Sequence, residues 1–281
     1  MKKLFTAAVL ALSVAASAAA LPACSGADDT IYVNTNAFFA PFEYFGGDSG
    51  TEILGVDVDI MNLVGKKLGK KVEFTSTDFD VIIDNVCSGK QYDCGAAGIT
   101  ITAERAEKVA FSNPYFTSVQ YVIYSGDTIT QDGVSTDGKN APYALWSQLA
   151  GKKIGYQRDT TGDIYVNLEI NGEDGYTGQL QGAENTAGVG YDNAQLAVDA
   201  IGAKQLDVVV VDQLPANYIV KNNSSYKCLA LYYDAQTATE EQYAICVNKN
   251  NTELLNAINE VLGELGTEGI NALVSKHLGL D

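Results

Sequence analysis

Residues 79–105 read "FDVIIDNVCSGKQYDCGAAGITITAER". Phe79, Ile82, Ile83 and Val86 recur at i, i+3, i+4 and i+7, which predicts a helix with one apolar face. After the glycine-containing turn "SGK", the uncharged run "CGAAGIT" reads as a buried strand. Gly98 and Thr100 then lead into a second helix start that carries Arg105. A helix, a buried strand and a polar turn opening a new helix form one unit of an α/β fold.

The same alternation extends in both directions. Upstream, "IYVNTN" (31–36) reads as a strand and "FFAPFEYF" (38–45) as an aromatic loop. "GVDVDIMNLVGKKLG" (55–69) reads as a helix on Ile60, Leu63, Val64 and Leu68, and "KKVEFTS" (70–76) as a strand. Downstream, "VQYVIY" (119–124) is a strand, and the polar stretch 125–142 is an exposed insertion. "KKIGYQ" (152–157), "DTTGDIYVNLEI" (159–170) and "NAQLAVDAIGAKQLDVVVVD" (193–212) continue as strand, helix, helix and buried strand. "EEQYAICVNK" (240–249) precedes a long amphipathic helix, with Thr252 expected as its N-cap. Two α/β lobes follow from this order, crossed twice by the chain, near residues 116–120 and 235–240. No internal repeat suggests a solenoid.

Composition narrows the function. The chain has 281 residues, 46% hydrophobic content, a formal charge of −17 and a pI near 4.3. That charge argues against nucleic acid, because phosphate binding needs a basic face. The first residues read as an export signal over 1–23: a Met1-Lys2-Lys3 start, an apolar run from Leu4 to Ala20, then small residues. The run is short for a membrane span, and nothing after it is comparable. Leu21-Pro22-Ala23-Cys24 resembles the bacterial lipobox, which implies cleavage before Cys24, diacylglycerol on its sulfur and a tether over 24–30. Plain secretion is the alternative. Cys87, Cys94, Cys228 and Cys246 remain. They could pair in three ways or stand as buried thiols, and their spacing does not suggest zinc. The single histidine, His277, reads as a surface residue without triad or metal partners. No cofactor and no metal are expected.

Eighteen residues are basic, and only Arg105 and Arg158 are arginines. Backbone N–H groups at a strand end and helix start are unpaired and attract anions. An arginine on such a turn can grip a carboxylate through two parallel hydrogen bonds, which a lysine cannot do. "GYQRDTTGD" (155–163) offers a similar helix start at Thr160, Thr161 and Gly162. "VVVVD" ends in Asp212, where a carboxylate can pair with an ammonium group. A carboxylate grip, a helix-end donor set and one acid suit a zwitterion. Each element has a plainer reading: Arg105 paired with Glu107 or Asp93, "DTTGD" as an N-cap, or Asp212 capping "QLPANY".

In this combination and order the chain resembles the polar amino-acid substrate-binding proteins of ABC importers, a periplasmic-binding-protein-like family. The resemblance rests on "APFEY", "GVDVDI", "FDVIIDNVCSGK", "AGITITAER", "VAFSNPYF", "GYQRDTTGD", "LDVVVVD" and "EEQYAICVNK". It implies a type II two-lobed fold, each lobe a mainly parallel sheet flanked by helices, joined by two hinge crossovers. Lobe 1 would take 31–118 and 238–281, and lobe 2 would take 119–237. It implies that Arg105 and the Thr100 amide hold the α-carboxylate of a free L-amino acid, with Thr161, beside Thr160, closing from lobe 2. Asp212, the Thr100 hydroxyl and the Gly98 carbonyl would take the α-ammonium, and Phe39 and Phe79 would stack on the ligand. Asn36 stands where family members that bind cationic side chains tend to carry a carboxylate, and Gln157 lies where the family often reaches the side chain. Two neutral amides imply a polar or uncharged ligand. Strand alternation with Gln157 points Arg158 away.

The resemblance further implies passive capture, delivery to permease subunits of an ABC importer, and an extracytoplasmic, membrane-anchored lipoprotein with no catalysis. The rivals are a same-fold dehydratase acting on a prephenate- or arogenate-like substrate, with Glu43 as its nearest acid, and an amino-acid sensor module.

Overall fold

In the computed structural model, which describes residues 29–280, the strand Thr30–Thr35 is paired on both edges. It lies parallel to Lys71–Ser76 on one side and to Cys94–Gly95 on the other. Cys246–Val247 and Ala110–Phe111 then complete this five-stranded sheet in antiparallel fashion. The helix Val56–Leu68 and the long C-terminal helix Thr252–Leu278 pack on each other beside it. Ile60, Met61 and Val64 of the first helix are fully buried, whereas Leu63 is exposed, so the apolar stripe is narrower than its spacing suggested. Asn251, not Thr252, caps the long helix, accepting from the Leu254 N–H.

The second sheet is larger. Lys153–Gln157 lies parallel to Ala187–Tyr191 and to the wholly buried Val208–Asp212. Phe116–Ser125 runs antiparallel to both Val208–Asp212 and Tyr226–Tyr232. Pro142–Leu145 and Gly133–Val134 finish the edge, so the polar insertion contributes a short strand. Helices Thr161–Asn171, Ala194–Gly202 and Gln213–Asn222 flank this sheet.

The two sheets are joined where Phe116–Ser125 pairs with Glu240–Tyr243, which sets Glu241 opposite Ser118 and Tyr243 opposite Phe116. The first of these strands contains the crossing expected near 116–120; the second begins at residue 240, where the other expected crossing, 235–240, ends. Phe42 wedges against this joint, with its ring edge-on to Tyr243 at 5.0 Å and to Phe116 at 5.1 Å. The aromatic stretch 38–45 is more ordered than a loop: Phe38–Phe39, Glu43–Gly46 and Glu52–Leu54 form a small antiparallel sheet. The helix expected from Phe79 onward divides into a short 3-10 turn, Phe79–Val81, and a helix, Ile82–Ser88.

The export signal over 1–23 and Cys24 lie outside the described residues. Cys87 is exposed, Cys228 half-buried and Cys94 and Cys246 buried, and all four are unpaired. His277 corrects the surface reading. Its side chain is 6% exposed, with Nε2 2.9 Å from Asp59 Oδ2 and Nδ1 3.0 Å from the Tyr44 hydroxyl. The partners come from the Val56–Leu68 helix and the small sheet, distant segments that a helical pattern around position 277 could not reveal.

Candidate functional site

Strand ends and helix starts from both lobes meet at one narrow cavity of about 10 Å³, room for little more than a water molecule. Asn36, Phe39, Phe79, Gly98, Thr100 and Arg105 line it from the first lobe. Gln157, Thr160, Thr161 and Asp212 line it from the second. All ten residues singled out in the sequence are therefore brought together, with Ala97 beside them. Arg158 is not among them: it turns outward to Asp192 and the Gly190 carbonyl.

Arg105 sits in a short helix, Ala103–Lys108, started by Thr102, whose side chain accepts from the Arg105 N–H. Its guanidinium is 8% exposed and pairs with no carboxylate. It donates to the Thr100 carbonyl (2.9 Å) and, across the cleft, to the Asp159 carbonyl (2.7 Å), and it lies 5.3 Å from the Phe79 ring centroid. The expected alternative of a surface ion pair is thus excluded. Burial lowers its pKa, against the opposing pull of neighbouring acids.

Gly98 takes a left-handed φ of +52°, and a Cβ there would stand 2.8 Å from Phe39 Cε1. Only glycine lets the aromatic ring approach so closely while the chain turns. The Gly98 N–H donates to Asp57 Oδ2 (2.9 Å), and the Tyr115 hydroxyl donates to Asp57 Oδ1 (2.6 Å). Burial nevertheless raises the Asp57 pKa to about 6. Glu43 is fully buried beside it, with neither carboxyl oxygen hydrogen-bonded; burial, then the Asp57 charge, pushes its pKa well up. It lies behind the cavity wall, not among the lining residues.

At the far end, Asn36 donates to the Thr77 carbonyl (2.7 Å), which leaves its Oδ1 to accept from Gln157 Nε2 across the cleft (3.1 Å). Gln157 Oε1 then has no partner although the residue is 4% exposed.

Asp212 begins the helix Gln213–Asn222 without capping it. Its oxygens accept instead from Gln120 Nε2 and from the Tyr243 hydroxyl (2.5 Å). Three participants escaped the sequence reading: Gln120, Asp159 and Glu241. Glu241 Oε2 accepts from the hydroxyls of Thr100 (2.6 Å) and Thr161, and its Oε1 accepts from Gln120 Nε2 (2.6 Å). Burial first, then the Glu241 charge, holds the Asp212 carboxyl well above the usual carboxylate range. Strand alternation offered the one available signal: Glu241 and Tyr243 share a strand face. Which face turns inward depends on pairing with Phe116–Ser125, which is a tertiary fact. Among the described residues, no cluster of acids, histidines and cysteines could hold a metal ion, and no helix is long and apolar enough to cross a membrane.

Two α/β lobes on a paired-strand hinge, with polar groups of both lobes meeting around one narrow cavity, define a solute-binding architecture. Residues 31–279 match the model of the bacterial extracellular solute-binding proteins, family 3, and the chain belongs to that family. It is 28% identical over 280 residues to the ABC transporter arginine-binding protein 1 of Escherichia coli (strain K12), covering 98% of each chain. It is 29% identical over 273 residues to a probable histidine-binding protein of Neisseria gonorrhoeae, covering 92% of this chain and 91% of that protein. Among solved structures, an ancestral arginine-binding protein bound to glutamine superposes with a TM-score of 0.68 at 32% identity, covering 89% of this chain and 98% of the other. The fold is the type II periplasmic-binding-protein arrangement of two lobes.

Proposed function

We propose that this protein captures a free L-amino acid with a polar or uncharged side chain between its lobes and hands it to the permease of an ABC importer, without catalysing a reaction. One observation carries the reading. A single cavity is lined by a buried arginine that meets no carboxylate and by a carboxylate served only by neutral donors, and both lobes supply its walls. Arg105 suits an α-carboxylate and Asp212 an α-ammonium, so a zwitterion would satisfy both. The bond from Arg105 to the Asp159 carbonyl ties the grip to closure, since Asp159 belongs to the opposite lobe.

Relatives named for arginine and histidine support an amino acid as the class of ligand. The side-chain preference rests on Asn36 and Gln157, which close the distal end with amides and place no carboxylate there. Division into lobes at 31–118 with 238–281, and at 119–237, fits the hinge pairing of Glu240–Tyr243 with Phe116–Ser125. Export and anchoring through diacylglycerol on Cys24 rest on the signal pattern alone. The dehydratase alternative loses its acid, because Glu43 lies behind the wall.

The test is a thermal-shift screen against the twenty L-amino acids. A cognate ligand at about a thousandfold over Kd should stabilise by roughly 4 kcal/mol. Arg105→Ala should abolish the shift, and Arg158→Ala should leave most of it. Wild-type binding by Arg105→Ala would refute the assignment, and turnover of prephenate or arogenate would revive the enzyme reading.

A further inference from the structure

Glu241 stands apart from the clasp described so far. It is not on the cavity wall, yet it touches three groups that serve it. The hydroxyls of Thr100, from the first lobe, and Thr161, from the second, both donate to its Oε2. Gln120 Nε2 reaches both Glu241 Oε1 and Asp212 Oδ1, so the two carboxylates share one donor. Glu241 is 5% exposed and Asp212 is 6% exposed, and no cation bonds to either.

A hydroxyl has one proton to donate and lone pairs to offer. When Thr100 and Thr161 spend their protons on Glu241, only lone pairs remain for the cavity. The lining near Asp212 then presents acceptors. The orphaned Oε1 of Gln157, buried and on the same cavity, independently calls for a ligand that brings donors. Burial, then the adjacent Glu241 charge with no cation beside it, favours keeping a proton on Asp212. The other groups around the two carboxylates reinforce this. The Tyr243 hydroxyl donates to Asp212, the Tyr165 and Tyr243 phenols have their pKa values raised by burial and by both carboxylates, and Glu43 lies near Asp212. Arg105, the nearby cation, is committed to carbonyls.

We propose that Glu241 is a positioning residue for the ammonium pole: it draws the hydroxyl protons of Thr100 and Thr161 away from the cavity so that both threonines and Asp212 face the ligand as acceptors, and a proton held on Asp212 leaves when the ammonium enters. The inference rests on the proposed amino-acid clasp. Charge balances: R–NH3⁺ keeps its protons, the Asp212 carboxyl becomes a carboxylate, and one H⁺ passes to solvent. Binding therefore strengthens with rising pH until ligand-free Asp212 has lost that proton, and is flat above. In this arrangement Thr161 meets a ligand carboxylate through its backbone N–H and not its hydroxyl.

The first test uses ligand-free protein. A carbon-13 titration of the Asp212 carboxyl, assigned with Asp212→Asn, should give a midpoint above the ordinary carboxylate range, falling in Glu241→Gln. An equal midpoint in the two proteins overturns the inference. The second test is calorimetry with L-glutamine, L-histidine and L-arginine, each in phosphate and in Tris at one pH. Wild type should release up to one proton per amino acid bound, whereas Glu241→Gln should bind about tenfold more weakly or worse and release none. Glu241→Asp, which keeps the charge, should recover the release and guards against a mere folding defect. Equal affinity and equal proton release in Glu241→Gln overturn the inference and leave the clasp standing. Wild-type affinity in Arg105→Ala overturns the clasp itself.

Discussion

Replacing Asp57 with asparagine should flatten the acid side of the stability profile. Asp57 lies in the first turn of the helix Val56–Leu68, fully buried, and accepts from the Gly98 N–H and the Tyr115 hydroxyl. Burial outweighs these bonds and lifts its pKa to about 6 in the folded protein. In the unfolded chain an aspartate titrates near ~3.9. The gap is about 2 units, worth about 3 kcal/mol. Because the folded value is the higher one, the folded state holds the proton longer. The stabilising contribution is complete below about pH 3.9, declines through the interval between the two values and is gone above about 6. Urea denaturation of ligand-free protein at a series of pH values across this window measures the slope. Wild type should lose about 3 kcal/mol more than Asp57→Asn between the two ends. The asparagine carbonyl can still accept from Gly98, so the turn beneath the cavity is retained, although one buried donor loses its best acceptor, at a pH-independent cost of about 1–3 kcal/mol. Equal slopes in the two proteins would refute the claim that burial raises the Asp57 pKa.

Three further outcomes follow from other parts of the molecule. Gly98→Ala forces a Cβ to 2.8 Å from the Phe39 ring at φ +52°, and should cost about 1–2 kcal/mol for the left-handed backbone alone, read as a lowered denaturation midpoint; it should also weaken amino-acid binding by displacing Phe39. His277→Ala removes the bonds to Asp59 and Tyr44 and should destabilise by about 1–2 kcal/mol in urea denaturation, since two part-buried hydrogen bonds contribute about 0.5–1 kcal/mol each. In native protein treated with iodoacetamide, peptide mapping should find label on exposed Cys87 early and on Cys94 and Cys246 only after unfolding. Burial shields both, and it holds the Cys246 thiol up at about 12, far from its reactive thiolate. Equal labelling rates would contradict that burial.

Much of the architecture was legible along the chain. Periodicity located the helix Val56–Leu68 and the strand Lys71–Ser76, because one-sided burial writes itself into spacing, and short unbroken apolar runs marked the buried strands Lys153–Gln157 and Val208–Asp212. Of the cavity's lining, Gly98, Thr100, Arg105, Thr160, Thr161 and Asp212 were readable from strand ends, helix starts and a scarce arginine, whereas Asn36, Phe39, Phe79 and Gln157 were implied only by the resemblance to the family. The aromatic stretch was misread as a loop because its strands are two to four residues long, too short for alternation to show. The N-cap shifted from Thr252 to Asn251 because either side chain could serve, and backbone angles chose between them.

Sequence alone determined the order of strands and helices and marked Arg105, Thr161 and Asp212 as groups of one site, because these depend on local pattern and residue chemistry. Tertiary structure decided where the protons sit. Glu241 reaches Thr100, Thr161 and Asp212 only because two hinge strands pair in one register. His277 finds Asp59 and Tyr44 only through helix packing, and Asp57 and Asp212 keep raised pKa values only because the fold removes water from them. Hydrogen-bond direction and charge state depend on distant neighbours and local solvation, neither of which is encoded in any short stretch of chain.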